Sequence, residues 1–243
     1  MQLPSQKKLL SFSMIMLYNN SVMKFYAIEG TDGSGKKTQI KKLYDYLKSK
    51  GADVHFVSFP DYDSPSSAPI KMYLSGEFGD NPNVLDAYQA STLFATDRIC
   101  TMTKLLPQLK SDAIVLFDRY VQSNLLHQAG KIQGRKEREN FARWLDDFEF
   151  NILKLPRTDK VIFLDLPASK AMELISKRGQ LKIGDEYEKD IHEANYNHLS
   201  NAYNAGLEAC ELFGWSKIQC LDDFGEILTP DEIHEKIKAA LEI

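Results

Sequence analysis

Five short, β-rich and nearly continuous apolar runs recur along the 243 residues: Phe25–Ile28, Val54–Phe59, Ala113–Phe117, Val161–Leu166 and Lys217–Leu221. Each is bounded by polar or turn residues, and stretches with helical periodicity separate them. A strand that is apolar at nearly every position is covered on both faces, and alternation with helices implies parallel βαβ units. The expected fold is α/β, a five-stranded parallel sheet with helices on both faces. In such sheets ligands sit at the carboxyl ends of the strands. The chemistry-bearing segments of this chain fall at those ends.

Bulk composition narrows the partners. The chain is 43% apolar and 26% charged, with no run long enough to span a bilayer, so no membrane partner is expected. A formal net charge of −4 argues against sequence-independent nucleic-acid binding. Cys100, Cys210 and Cys220 have no CxxC spacing and read as small hydrophobes, consistent with a reducing, cytoplasmic location. Lys7 and Lys8 precede an apolar stretch, Leu9–Tyr18, without a small-residue cleavage site after it. Residues 1–22 are therefore read as an extension or an over-long start, and 23–243 as one domain.

The segment Gly30-Thr31-Asp32-Gly33-Ser34-Gly35-Lys36-Lys37-Thr38 follows the first apolar run and precedes a helical pattern. Its Gly-x4-Gly-Lys spacing is that of a Walker A phosphate loop. Glycines let successive amides turn inward around phosphate oxygens, and the following helix adds its positive end. Lys36 brings a full charge for the β- and γ-phosphates. This marks a P-loop NTPase fold, with residues 30–38 as the ATP-binding loop. Lys37 occupies the place of the usual Ser or Thr, so Mg²⁺ would need Thr38, water or another oxygen ligand.

Two runs end in aspartate, Ile114–Asp118 and Val161–Asp165. Either could place a carboxylate near Mg²⁺. Asp118 is followed by Arg119, a carboxylate beside a fork of donors suited to phosphate; Asp118 is the metal candidate and Asp165 reads as structural. Between residues 84 and 106, Leu85, Tyr88, Thr92, Ala95, Ile99, Met102 and Leu106 form a packing stripe. Phe94 and Arg98 lie four apart on another face, a ring beside a guanidinium. Alone, such a pair is more often a core Phe and a paired Arg than a base-binding site. The Ser-, Pro- and Asp-rich loop 60–69 and the segment 179–185 are expected to move over a site.

Taken together, these residues resemble the thymidylate kinases from Met23 onward. The matching segments are Phe25-Tyr26-Ala27-Ile28-Glu29-Gly30 with the phosphate loop, Phe59-Pro60, Leu93-Phe94-Ala95-Thr96-Asp97-Arg98, and Asp118-Arg119-Tyr120-Val121-Gln122-Ser123-Asn124. The resemblance implies transfer of the ATP γ-phosphate to dTMP, with Mg²⁺, in a cytoplasmic homodimer. It implies Phe94 stacking on thymine, Arg98 donating to the base, and Arg119 holding the acceptor phosphate. Ser123 and Asn124 would line the base pocket, Asp32 would sit near the acceptor's sugar and phosphate, and Phe59 would complete the substrate site. His127 stands where relatives often have Tyr. In the lid, about 178–186, the common Asp-Arg-x-Glu appears as Asp185-Glu186-Tyr187-Glu188, leaving Arg178 and Lys182 as lid cations beside Lys36 and Arg119. The alternatives are a kinase of another nucleoside or monophosphate on this scaffold, or a P-loop regulator with no second substrate. A guanine-reading Asn-Lys-x-Asp stretch is absent.

Overall fold

A computed structural model of the chain describes residues 23–79, 81, 83–181 and 196–243, with only the backbone at 178–181. The expectations for residues 1–22, for Lys182 and the rest of the lid, and for the Arg178 side chain lie outside the described residues.

The apolar runs form β1 (Lys24–Glu29), β2 (Val54–Ser58), β3 (Ile114–Asp118), β4 (Lys160–Asp165) and β5 (Ser216–Gln219). They pair in the order β2-β3-β1-β4-β5, every pair parallel. The chain leaves central β1 for edge β2, returns to β3 and then crosses to β4. The order in which strands are added therefore reverses beside β1, the point at which parallel sheets of this kind open a crevice at the carboxyl ends.

Alternate residues on each strand feed two cores. Tyr26, Ile28, Leu116, Ile162 and Leu164 pack against α1 (Lys36–Ser49) and α8 (Pro230–Leu241) through Ile40, Leu43, Leu47, Ile233 and Ile237. Ala27, Val115, Phe117 and Val161 face the other way. There they meet α3 (Ala87–Leu105), α4 (Val121–His127), α5 (Arg135–Asp146) and α7 (Tyr196–Phe213). Two further helices, α2 (Ala68–Leu74) and α6 (Ala168–Leu181), follow β2 and β4.

Helix α3 departs from the expected 84–106. Asp86 and Gln89 form a capping box, the Gln89 amide donating to Asp86 Oδ1 at 2.8 Å and the Asp86 amide to Gln89 Oε1 at 3.0 Å. Leu85 thus precedes the helix. Its buried face is Ala87, Ala90, Ser91, Ala95, Asp97, Arg98 and Met102, while Tyr88 and Thr92 are exposed. Apolar periodicity misplaced the stripe because this face is built from small residues and a neutralised charge. The loop after β2 also differs from a free-standing flap. Buried Asp97 accepts from the Asp61 amide at 2.8 Å and the Ser66 hydroxyl at 2.5 Å, pinning the loop to α3.

Candidate active site

The loop after β1 wraps the start of α1. Gly33 has φ of 81°, and a Cβ there would lie 2.7 Å from the Ala171 carbonyl oxygen and 2.8 Å from Ile175 Cγ1. Only glycine accepts both the left-handed backbone and the approach of α6. Gly35, φ 93°, is the N-cap of α1 and provides no side-chain cap; no acidic residue stands in the first turn. The helix therefore presents its N-terminal amides and dipole to an anion. Inside the loop the Thr31 and Ser34 hydroxyls are buried without a hydrogen-bond partner among the described residues. Lys37 and Thr38 are exposed at the start of α1.

Lys36 Nζ folds back over the loop, donating to the Gly30 carbonyl at 2.7 Å and the Thr31 carbonyl at 2.9 Å, with Asp32 Oδ1 at 3.7 Å. Burial, then the neighbouring Arg119, lowers its pKa against the opposing pull of Asp32 and Glu29.

The end of β3 supplies the second cation. The register pairs Asp118 with Ile28, two residues before Gly30, so Arg119 emerges beside the phosphate loop. Arg119 has φ of 62°, a left-handed conformation uncommon for a side chain of this size. Its guanidinium bonds Asp32 through one terminal nitrogen and lies 2.9 Å from His127 Nε2 through the other. The side chain keeps 28% exposure, so a ligand can still reach it. Burial alone would raise the Asp32 carboxyl. Arg119 and Lys36 outweigh that and hold it well below the usual carboxylate range.

Phe94 is half-buried on α3, held edge-on by Tyr73 with ring centroids 6.5 Å apart. Arg98, one turn on, is only 2% exposed. Its Nε and one terminal nitrogen each bond Glu149 at 2.6 Å, and the other terminal nitrogen donates to the Tyr120 carbonyl at 3.3 Å. The expected base donor is thus also a buried ion pair, with two of its five N–H groups outside these bonds. Glu149 reaches it because a π-helical turn, Asp147–Ile152, follows α5.

Several expected substrate residues are engaged elsewhere. Phe59, 3% exposed, packs in the core against Phe117 and Tyr120 rather than opening onto a site. The Ser123 hydroxyl donates to Glu29 at 2.7 Å, and the Asn124 amide to Glu149 at 3.3 Å. Asp165, read as structural, accepts from the Tyr203 hydroxyl at 2.6 Å.

The sequence reading missed Glu29, Asp97, Glu149 and His198. Glu29, fully buried, accepts from the Tyr120 amide at 3.0 Å and ties β1 to α4. Burial pushes its carboxyl up, against the Ser123 hydroxyl and Lys36. Its signal was available: β1 also ends as apolar residues and then an acid. Glu149 and His198 have no such pattern around them.

Among the described residues no group of three acidic, histidine or cysteine side chains is placed to cage a metal. Mg²⁺ commonly takes one or two carboxylates and completes its shell with phosphate and water. Asp118, half-buried at the end of β3 beside the loop, fits that role. No described helix is long and apolar enough to cross a membrane.

A parallel sheet whose central strand runs through a glycine loop into a helix bearing Lys36 defines a P-loop nucleotide-binding protein. A second cation, Arg119, stands beside that loop. The family model for thymidylate kinase matches residues 28–220. A thymidylate kinase of Mycobacterium tuberculosis is 34% identical over 168 residues, 68% of this chain and 77% of the relative. A probable thymidylate kinase of Pyrococcus horikoshii is 31% identical over 73% of this chain and 82% of its own length. A thymidylate kinase of Desulfotalea psychrophila is 30% identical over 79% and 90%. The chain belongs to the thymidylate kinase family.

Proposed function

We propose that the protein is a thymidylate kinase, transferring the γ-phosphate of ATP to dTMP to give dTDP and ADP for dTTP synthesis. The observation that carries this reading is the convergence of Lys36 and Arg119 on Asp32, which sets the donor loop and an acceptor-side cation in one crevice.

Phosphoryl transfer requires in-line placement and cations around three equatorial oxygens more than it requires covalent help. The amides of residues 30–38 and the α1 terminus bind the donor phosphates, and Lys36 swings from the loop carbonyls onto them. The acceptor is a phosphate oxygen that is already anionic, so no general base is needed. Arg119 draws that phosphate toward the donor. Phe94 stacks on the thymine ring and Arg98 donates to it through its remaining N–H groups. Ser123, Asn124 and His127 complete the pocket wall, with the first two keeping the buried carboxylates behind it in place. Mg²⁺, held by Asp118 and by phosphate and water oxygens, supplies charge neutralisation when bound. Arg178 and Lys182 would bring further cations as the lid excludes water. We place the enzyme in the cytoplasm as a homodimer of single-domain protomers, 23–243.

A coupled ADP-release assay across nucleoside monophosphates, with and without Mg²⁺, tests the reading. ADP release driven by dTMP above other acceptors is expected. Preference for dCMP or UMP, or ATP hydrolysis indifferent to dTMP, would overturn it.

A further inference from the structure

His127 closes α4, and α4 lies tightly along α7. Leu126 shares a buried cluster with Ala202, and a Cβ on Gly206 would come within 3.3 Å of Leu126 Cγ. That close approach sets His127 against His198, 8% exposed near the start of α7. The two rings stack at 15° with centroids 5.6 Å apart. His127 Nδ1 lies 3.3 Å from His198 Nε2, and His127 Nε2 lies 2.9 Å from the Arg119 guanidinium.

The chemistry of the three groups fixes the direction of this string. A guanidinium only donates, so His127 Nε2 must accept. A neutral imidazole then carries its proton on Nδ1 and donates it to His198 Nε2, which must accept in turn. We propose that His198 is a positioning residue for Arg119: by accepting the Nδ1 proton it fixes the orientation of the His127 ring, and so the direction in which the guanidinium is held. Asp32 fixes one end of the fork and the imidazole string fixes the other. The inference rests on the kinase reading only for the use to which Arg119 is put.

The surroundings agree. His127 is faced by Arg119 from the end of β3, by Asp32 and Lys36 from the phosphate loop and α1, and by His198 from α7. Burial, then the Arg119 charge, drives its pKa well below the usual value, so the ring stays neutral. A proton on His198 Nε2 would set two donors against each other and break the string.

The test combines kinetics with a spectroscopic reading of the tautomer. His198→Ala is expected to lower kcat for dTMP phosphorylation by roughly tenfold, as loss of an orienting partner commonly does, with the KM for ATP unchanged. His198→Gln, which can place an acceptor where Nε2 was, is expected to restore most of that loss. In ¹⁵N-labelled wild-type protein, His127 should show its proton on Nδ1, shifted by its hydrogen bond to His198, and that shift should be lost in His198→Ala. A kcat for His198→Ala within twofold of wild type, or a wild-type His127 protonated on Nε2, would overturn the proposal. If the wild type has no dTMP-dependent activity, the kinase reading fails, and the response of the His127 Nδ1–H signal to His198→Ala alone decides the role of His198.

Discussion

The guanidinium of Arg119 at the end of β3 bonds the carboxylate of Asp32 in the loop after β1, joining positions 87 residues apart. The sheet order makes this possible: β3 lies directly beside β1, with Asp118 level with Ile28. The phosphate loop and Arg119 are therefore set against each other by strand pairing, and the side chains only complete the join.

Arg119→Ala should lower turnover by roughly 10²–10³-fold, the usual effect of losing one donor to a developing charge. The fold should survive, since the side chain is partly exposed. Arg119→Lys should recover only part of the loss, because an ammonium cannot span Asp32 and His127 as the fork does. Steady-state rates on purified variants with native circular dichroism decide; near-normal turnover in Arg119→Ala removes its role.

Phe94→Ala should raise the KM for dTMP while leaving that for ATP alone. Stacking of a base on an aromatic ring is worth about 1–3 kcal/mol, so a shift of roughly tenfold or more is expected. Equal changes in both KM values would place the ring outside the acceptor site.

The Arg98–Glu149 pair predicts a large loss of stability from a small change. Glu149→Ala strands a guanidinium that is 2% exposed, and removing one partner of a buried pair typically costs about 3–5 kcal/mol. Urea unfolding monitored by fluorescence should show it as a lower midpoint. A loss under about 1 kcal/mol would mean that water or another acid reaches Arg98.

His127 predicts how stability depends on pH. Its folded pKa is depressed, chiefly by burial and then by Arg119, from an ordinary value near 6.5. Below that value the unfolded chain takes up a proton that the native chain refuses. Its contribution is complete above about pH 6.5 and is lost as pH falls toward the folded pKa, at up to about 1.4 kcal/mol per unit. Subtracting the profile of His127→Gln from that of wild type should isolate this slope between pH 6.5 and 5. Parallel profiles in that window would show that the ring protonates freely in the fold.

Much of the architecture was written locally. The inner strands β1, β3 and β4 are buried on both faces and so apolar at consecutive positions, legible from short windows, whereas edge strands β2 and β5 expose Phe56, Ser58, Lys217 and Gln219. The glycine loop announces itself by spacing. The error on α3 is instructive. Asp97 and Arg98 lie on its buried face because partners from other segments satisfy them, and Ser91 because its hydroxyl donates back to the Ala87 carbonyl, whereas periodicity credits only apolar residues with burial. Phe59 carries a motif position of the family yet closes the core against Tyr120.

By itself the sequence determined the alternation of strand and helix, the phosphate loop and the acid-arginine step after β3, since each depends on backbone conformation or side-chain pattern within a few residues. Only the tertiary structure decided that Glu149 neutralises Arg98, that Asp97 pins the loop after β2, and that His198 stands behind His127. Those contacts join positions 31 to 71 residues apart. A charged or polar residue looks the same in sequence whether water or a distant partner will satisfy it, and burial alone makes the difference.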